Sequence, residues 1–417
     1  MKKILVLAAC LIIVNQLFPQ STDYIGRKLN TITPAVPFLL IPPDPIGAGM
    51  GDVGVATGND VFSLYWNPAK YGATNQLQSA NPGEDFRVAV TFDPWLRQLV
   101  KDVWLGSIYG SKIIDDKSAL SASFRFFSLG DITFTNIQGE VIGNYIPVEY
   151  ALDFAYSRKL SEHWSGAVAF RYILSNLTNG QEVAGTTTKP GKAVAADLAA
   201  YYETKLSGTD NTFTFGVNIS NIGNKISYSD DNNQRDFIPT LLRLGPGITW
   251  HANENHMFRF SADFTKLLVP TPPIYATDPE TGEVIYDNQD NPVIAKGMSS
   301  DVSVMRGMFQ SFYDAPRGFN EEMHEITTAI GAEYRFYNIV YLRTGWFGEH
   351  DTKGGRRFMT AGIGAKYKFI EAHVSKIYDR NITSLGDLIR GDVSEIPGLL
   401  HKTWRFTIGL DLAGIYK

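Results

Sequence analysis

The run Val148-Glu149-Tyr150-Ala151-Leu152-Asp153-Phe154-Ala155-Tyr156 decides the fold. Every second residue from Val148 is bulky and apolar, and the residues between are small or charged. Successive side chains of a strand point to opposite faces, so this stretch is a strand with one greasy and one polar side. The pattern recurs along the chain. Phe213, Phe215, Val217 and Ile219 alternate with Thr214, Gly216, Asn218 and Ser220. Phe258, Phe260, Ala262 and Phe264 alternate with Arg259, Ser261, Asp263 and Thr265, and Trp404, Phe406, Ile408 and Leu410 with Arg405, Thr407, Gly409 and Asp411. A half-buried sheet in a soluble protein would alternate in the same way, so the connections have to decide between the two.

Fourteen strands are expected, near 86–93, 103–113, 118–128, 148–158, 163–174, 193–205, 211–221, 241–250, 256–266, 324–336, 339–347, 357–368, 370–377 and 403–412. The gaps alternate in length. Short ones fall at 114–117, 159–162, 206–210, 251–255, 337–338 and near 369; long ones fall at 129–147, 175–192, 222–240, 267–323 and 378–402. Two intermediate gaps, 94–102 and 348–356, stand where long ones are due. Short turns at one end and long loops at the other are how an outer-membrane barrel is built, and strands of about 9–12 residues cross a bilayer when tilted. The expected fold is all-β: a 14-stranded antiparallel transmembrane β-barrel, with both termini on the periplasmic side because the strand number is even. Pro246 should mark an edge, bulge or kink. Residues 132–138 are open to reading as another strand and read better as an extension above the membrane, and Arg343 needs a lumen or rim position.

Composition agrees. The 417 residues carry a net charge of −5, so no basic field favours nucleic acid. Charged residues make up 19%, below the roughly 25% of soluble domains. The single cysteine excludes a disulfide scaffold and a cysteine-based zinc site. Met1-Lys2-Lys3 followed by the apolar run 4–14 reads as a signal peptide over 1–20, too short to span a bilayer. Cys10 lies in a lipoprotein-like box, but the apolar run continues past it, which favours a plain signal peptide.

Residues 21–85 are not strand-like. Pro34, Pro37, Pro42, Pro43 and Pro45 precede the small-residue run Gly47-Ala48-Gly49-Met50-Gly51-Asp52-Val53-Gly54. A phosphate loop would need a Lys-Ser/Thr pair after the glycines and a buried strand before them, and both are missing. A compact hatch or plug in the lumen of the barrel formed by 86–417 explains the composition better, because close backbone packing needs small residues.

Asp60-Val61-Phe62-Ser63-Leu64-Tyr65-Trp66-Asn67-Pro68-Ala69 resembles the hatch of FadL-type barrels, with Asn67, Pro68 and Ala69 as its motif. The runs Pro37-Phe38-Leu39-Leu40-Ile41-Pro42-Pro43-Asp44, Lys266-Leu267-Leu268-Val269-Pro270-Thr271-Pro272-Pro273 and Gly307-Met308-Phe309-Gln310-Ser311-Phe312-Tyr313-Asp314-Ala315-Pro316 resemble the PorV family, the FadL-like outer-membrane barrels of the Bacteroidetes type IX secretion system. That resemblance implies a shuttle and adaptor. It would take cargo by its C-terminal signal domain at the SprA-type translocon and deliver it to the PorU-type sortase and attachment complex. It implies no catalysis and no cofactor. The alternative is a FadL-like transporter of hydrophobic small molecules, for which Pro246 could mark a side exit.

An adaptor binds through loops held on a rigid scaffold. The largest loop, 267–323, carries Pro270, Pro272, Pro273, Tyr275, Met308, Phe309, Phe312, Tyr313 and Phe319, an apolar and aromatic set suited to partner contact. The other reading is that these rings pack on one another or line the barrel mouth. Glu283-Val284-Ile285-Tyr286 reads as a small hairpin above the membrane. The acidic runs at 230–233 and 287–291 lack the terminal glutamate of a calcium loop and read as solvated. The histidines show no zinc spacing. Asp153, Arg171, Asp197, Arg259, Asp263 and Glu333 are expected to form one charge network in the lumen.

Overall fold

The computed structural model describes residues 29–73, 86–135, 140–180, 182–183, 186–229, 235–379 and 400–411. The expected signal peptide, the acidic run 230–233 and the C-terminal tail 413–417 lie outside these. Fourteen strands close into one antiparallel barrel in chain order. They are β1 (Phe86–Pro94), β2 (Trp104–Ile113), β3 (Ser118–Ser128), β4 (Val148–Lys159), β5 (Trp164–Asn176), β6 (Gly191–Lys205), β7 (Thr212–Gly223), β8 (Leu241–Asn253), β9 (His256–Leu267), β10 (Ile326–Phe336), β11 (Val340–Gly348), β12 (Arg357–Tyr367), β13 (Ile370–Tyr378) and β14 (Trp404–Asp411). The circle closes by pairing β14 with β1, where Val90 faces Ile408 and Phe92 faces Phe406. No edge of the barrel sheet is left unpaired, which removes the backbone groups a bilayer cannot satisfy.

The apolar half of each alternation faces outward. Val90, Ile108, Phe154, Phe170 and Ile408 are exposed around the barrel wall. An apolar surface continuous around the whole wall calls for lipid as its solvent. Aromatic side chains gather at both ends of this band. Phe92, Trp104 and Phe126 adjoin at the long-loop end; Trp164, Tyr202 and Phe213, with Trp250, Phe258 and Tyr334, adjoin at the short-turn end. Such paired girdles mark the two interfaces of a bilayer.

Two irregularities have local causes. Between Ala196 and Leu198 of β6 the partner strand β7 steps from Ile222 to Ile219, so β7 bulges by one residue and Asp197 stands opposite Ser220 and Asn221. At Pro246 the ladder from β8 to β9 skips two residues and resumes at Gly247–Ser261 in the same register. Proline has no N–H to donate, so the break is confined to that point and the wall stays closed. Ile132–Thr135 pairs with Val141–Tyr145 as a hairpin outside the barrel, as the extension reading expected. The hairpin expected at 283–286 is there as antiparallel bridges, Thr277 with Val284 and Tyr286 with Pro292, and the Ile285 N–H donates to the Ala276 carbonyl while the Val293 N–H donates to the Ile285 carbonyl.

Residues 29–73 pack against the inward side chains all around the ring. The Asp263 carboxylate on β9 accepts from the N–H groups of Gly54 and Val55 at 2.8 and 2.9 Å. Asn218 on β7 donates to the Trp66 carbonyl at 3.0 Å, and Thr360 on β12 donates to that of Gly49 at 2.9 Å. Inward glycines make room. A Cβ on Gly331 or Gly345 would fall 2.3 or 2.0 Å from the backbone of Met50. On the long-loop side, Val36, Phe38, Leu39 and Ile41 form an apolar core with Leu105, Phe127, Ile173 and Ile238.

Candidate functional site

The loop between β9 and β10 folds through a short pairing of Ile274–Tyr275 with Ile294–Lys296 and through two helices, Val304–Gln310 and Phe319–His324. The first helix lies against Phe237 and Pro270 at Gly307, where a Cβ would be 2.9 and 3.0 Å from them. Its turn leaves Met308 buried and aims Phe309 outward.

The nine loop residues singled out from the sequence separate into two groups. Phe309 (66%), Phe312 (49%), Tyr313 (63%) and Phe319 (75%) are exposed, and Tyr275 is exposed to a lesser degree. Pro270 and Met308 are buried, while Pro272 and Pro273 are half-buried; these belong to the seat of the loop. Among the described residues no two of the four exposed rings stack on each other. Met305 and Met323 of the same loop are exposed as well.

The loop also has a charged underside that sequence reasoning missed. Lys266 pairs with Glu322 at 3.1 Å and Glu325 at 2.5 Å. Lys353, from the loop after β11, pairs with Glu321 and Glu325 at 2.8 Å each. Thr271 donates to Glu325 at 2.6 Å, and Asn30 donates to Glu321 at 3.1 Å. The N–H groups of Ala315 and Arg317 donate to Glu322 and Glu321. Buried charges persist only when paired and hydrogen-bonded, so this cluster ties the loop to β9, to the loop after β11 and to the N-terminal segment together. Lys266 offers the signal that could have revealed it: the one charged side chain on the otherwise apolar outward face of β9, it needs anionic cover.

Two carboxylates of the underside are perturbed in opposite directions. Burial pushes Asp314 up to about 6, helped by the neighbouring charges of Glu322 and Glu325, while hydrogen bonds from Gln310 and Thr271 pull the other way. For Glu321 burial also raises the pKa, but the hydrogen bond and charge of Lys353 outweigh it and hold the group below its ordinary value.

The run Asn67-Pro68-Ala69 is hydrogen-bonded to the barrel wall. Asn67 accepts from the Ala69 N–H and donates to the carbonyls of Val55 and Ala200 at 3.0 Å. Ser157 on β4 donates to the Pro68 carbonyl and Ser165 on β5 to that of Ala69, both at 2.7 Å. These serines stand at the short-turn end, so Asn67, Pro68 and Ala69 lie at that end of the barrel.

The inward charges form two clusters instead of the single network expected. Arg171 bridges Asp153 and Asp197, with Arg125 3.5 Å from Asp153. Glu333 receives Arg259 at 3.0 Å and Arg335 and Arg343 at 2.7 Å. Asp263 joins neither, because its carboxylate holds the Gly54–Val55 backbone. The carboxylate of Asp287 folds back on the N–H groups of Gln289 and Asn291, a turn held by its own side chain.

The family described as type IX secretion system protein PorV matches residues 25–274. No curated protein matches the chain. Among solved structures, the Pseudomonas putida toluene transporter TodX superposes with a TM-score of 0.46 at 11% identity, covering 92% of this chain and 99% of that one. The Ralstonia pickettii toluene transporter TbuX gives 0.43 at 11% identity, covering 88% and 96%. A Pseudomonas aeruginosa FadL homologue gives 0.42 at 11%, covering 92% and 100%.

Proposed function

The chain belongs to the PorV family of type IX secretion system proteins, and from that premise we propose that it is an outer-membrane shuttle and adaptor for secreted cargo. It takes the cargo's C-terminal signal domain at the SprA-type translocon and carries it to the PorU-type attachment complex. The long loops face the cell exterior, both termini face the periplasm, and residues 29–73 plug the lumen. The observation that carries the reading is the exposure of four aromatic side chains, Phe309, Phe312, Tyr313 and Phe319, on one loop. They are open to solvent, yet their loop is held by a rigid charged seat. Rigid aromatic side chains supply contact area at small entropic cost, as docking surfaces require. Phe312 also leans toward the outer wall. Its ring lies 5.9 Å from Lys266 Nζ, and Lys266 follows the outward residues Phe260 and Phe264 on β9. A partner standing beside the barrel in the same membrane would reach it.

Burying one such ring is worth roughly 1.5–3 kcal/mol. Replacing Phe309, Phe312 and Tyr313 together by serine is expected to reduce co-purification of signal-domain cargo and translocon from native outer membrane at least tenfold. The barrel should still assemble, as judged by its mobility on unheated gels. Unchanged recovery of both partners would remove the loop's role.

A further inference from the structure

At the long-loop end, between the N-terminal segment and β8–β11, lies a cavity of about 160 Å3. Three cations and three anions line it: Arg243, Lys353 and Arg356, with Asp52, Glu325 and Glu349. Four of these are matched. Lys353 pairs with Glu325 at 2.8 Å and Arg356 with Glu349 at 2.9 Å. Arg243 and Asp52 are left over, and they do not pair with each other.

Arg243 is buried, and among the described residues no carboxylate lies within salt-bridge distance of it. Its Nη2 donates to the Tyr65 hydroxyl at 3.3 Å, and its guanidinium lies 4.9 and 5.4 Å from the ring centres of Tyr65 and Trp66. Those rings fix its plane but supply only part of the compensation a buried cation needs. Asp52 has a positive φ of 63°, in the left-handed region that Asp adopts more readily than most residues. Its Oδ1 is shielded from solvent and has no hydrogen-bond partner. An unmatched donor fork and an unmatched acceptor therefore share one small cavity, whose apolar wall includes Leu241, Leu267 and Phe347.

We infer that this cavity receives the C-terminal residue of a polypeptide, with its α-carboxylate on the Arg243 guanidinium and its N–H on the Asp52 carboxylate. A planar guanidinium grips a carboxylate through two parallel hydrogen bonds. Asp52 gives the last amide the acceptor it loses on leaving water. The size fits one residue: a cavity near 150 Å3 holds a molecule like benzene, whereas pockets for larger ligands start at roughly 300 Å3. A long acyl chain would not enter. The inference rests on the adaptor reading above and deepens it, since a cargo recognised by its C-terminal domain presents such a terminus beside the large loop.

The test uses the full-length barrel in detergent, with intrinsic tryptophan fluorescence and calorimetry as readouts. The probes are acetyl-Ala-Ala-Leu with a free carboxylate, the same peptide as its C-terminal amide, and octanoate. The acid peptide should bind at least tenfold more tightly than the amide. Arg243→Gln should abolish that preference, Asp52→Asn should weaken both peptides, and Tyr65→Phe should leave the preference in place while reducing affinity. Heat-modifiable gel mobility confirms that each variant is folded. Equal binding of acid and amide, no binding of either, or tighter binding of octanoate than of the acid peptide would each overturn the inference. If wild type still co-purifies cargo while the peptides fail, the cavity assignment is wrong and the adaptor reading stands; if it captures no cargo at all, the adaptor reading falls.

Discussion

Asp314 shows how one residue can set the behaviour of the large loop. Its carboxyl is held near 6 against an ordinary value of 3.8, chiefly by burial. A raised folded-state pKa means the loop's folded arrangement binds the proton more tightly than the released loop does. The resulting stabilisation is full below about pH 4 and is lost as pH rises through about 6. Glu321 works in the opposite sense, since its pKa is lowered. Its contribution is present above 4.5 and fades only as pH falls below that. Between pH 5 and 7, Asp314 therefore dominates. Limited proteolysis of residues 268–325, normalised to an unfolded substrate, should be slower at pH 5 than at pH 7. In Asp314→Asn that difference should vanish. The strand at 339–347 alternates poorly, and the charge of Arg343 alone left a lumen or rim position open; it faces inward and pairs with Glu333. Arg125 lies on an alternating strand, between Phe124 and Phe126, and that parity would have placed it beside Asp153. Asp314, Glu321, Glu322 and Glu325 lie in a loop without periodicity, and nothing in their order reveals that they converge.

At the scale of elements, the charged underside joins β9 to the loop. Lys266→Met removes the partner of Glu322 and one of the two cations on Glu325. Leaving a buried carboxylate without its cation costs roughly 3–5 kcal/mol, and the lower end applies because Lys353 still holds Glu325. The expected outcome is a loop cleaved by protease many times faster, with the barrel strands still protected in hydrogen exchange. Protection of the loop equal to wild type would show that the cluster does not hold it. Strand elements were readable to within about three residues because a period of two extends over ten or so positions. The small hairpin at 283–286 was read from its turn alone, because the strands at 274–275 and 294–296 are two or three residues long, too short for a period to develop.

For the whole molecule, the fit of residues 29–73 inside the barrel depends on glycines in the wall. Gly345→Val would push its side chain into the Met50–Gly51 backbone. The segment would have to lift away while the β11 ladder, which the outward residues do not disturb, still forms. Cells carrying this variant should become sensitive to large polar antibiotics that the wild-type barrel excludes, measured as growth inhibition at equal barrel abundance. Unaltered sensitivity with a folded barrel would argue against a plug. The outward apolar band makes a companion expectation: purified protein should stay monodisperse only with detergent or lipid present.

The chain's order of residues by itself determined the strand number, the in-and-out assignment of each strand, the long and short ends and the compact N-terminal segment. All of these follow from local rules: a side-chain period of two, the chemistry of turns and the small size of glycine. The tertiary structure alone decided that Lys266, Lys353 and three glutamates form one seat, that the lumen charges divide into two clusters, and that Arg243 and Asp52 face one cavity without pairing. Those facts depend on where residues far apart in the chain come to lie in space, and no periodicity encodes the distance between them.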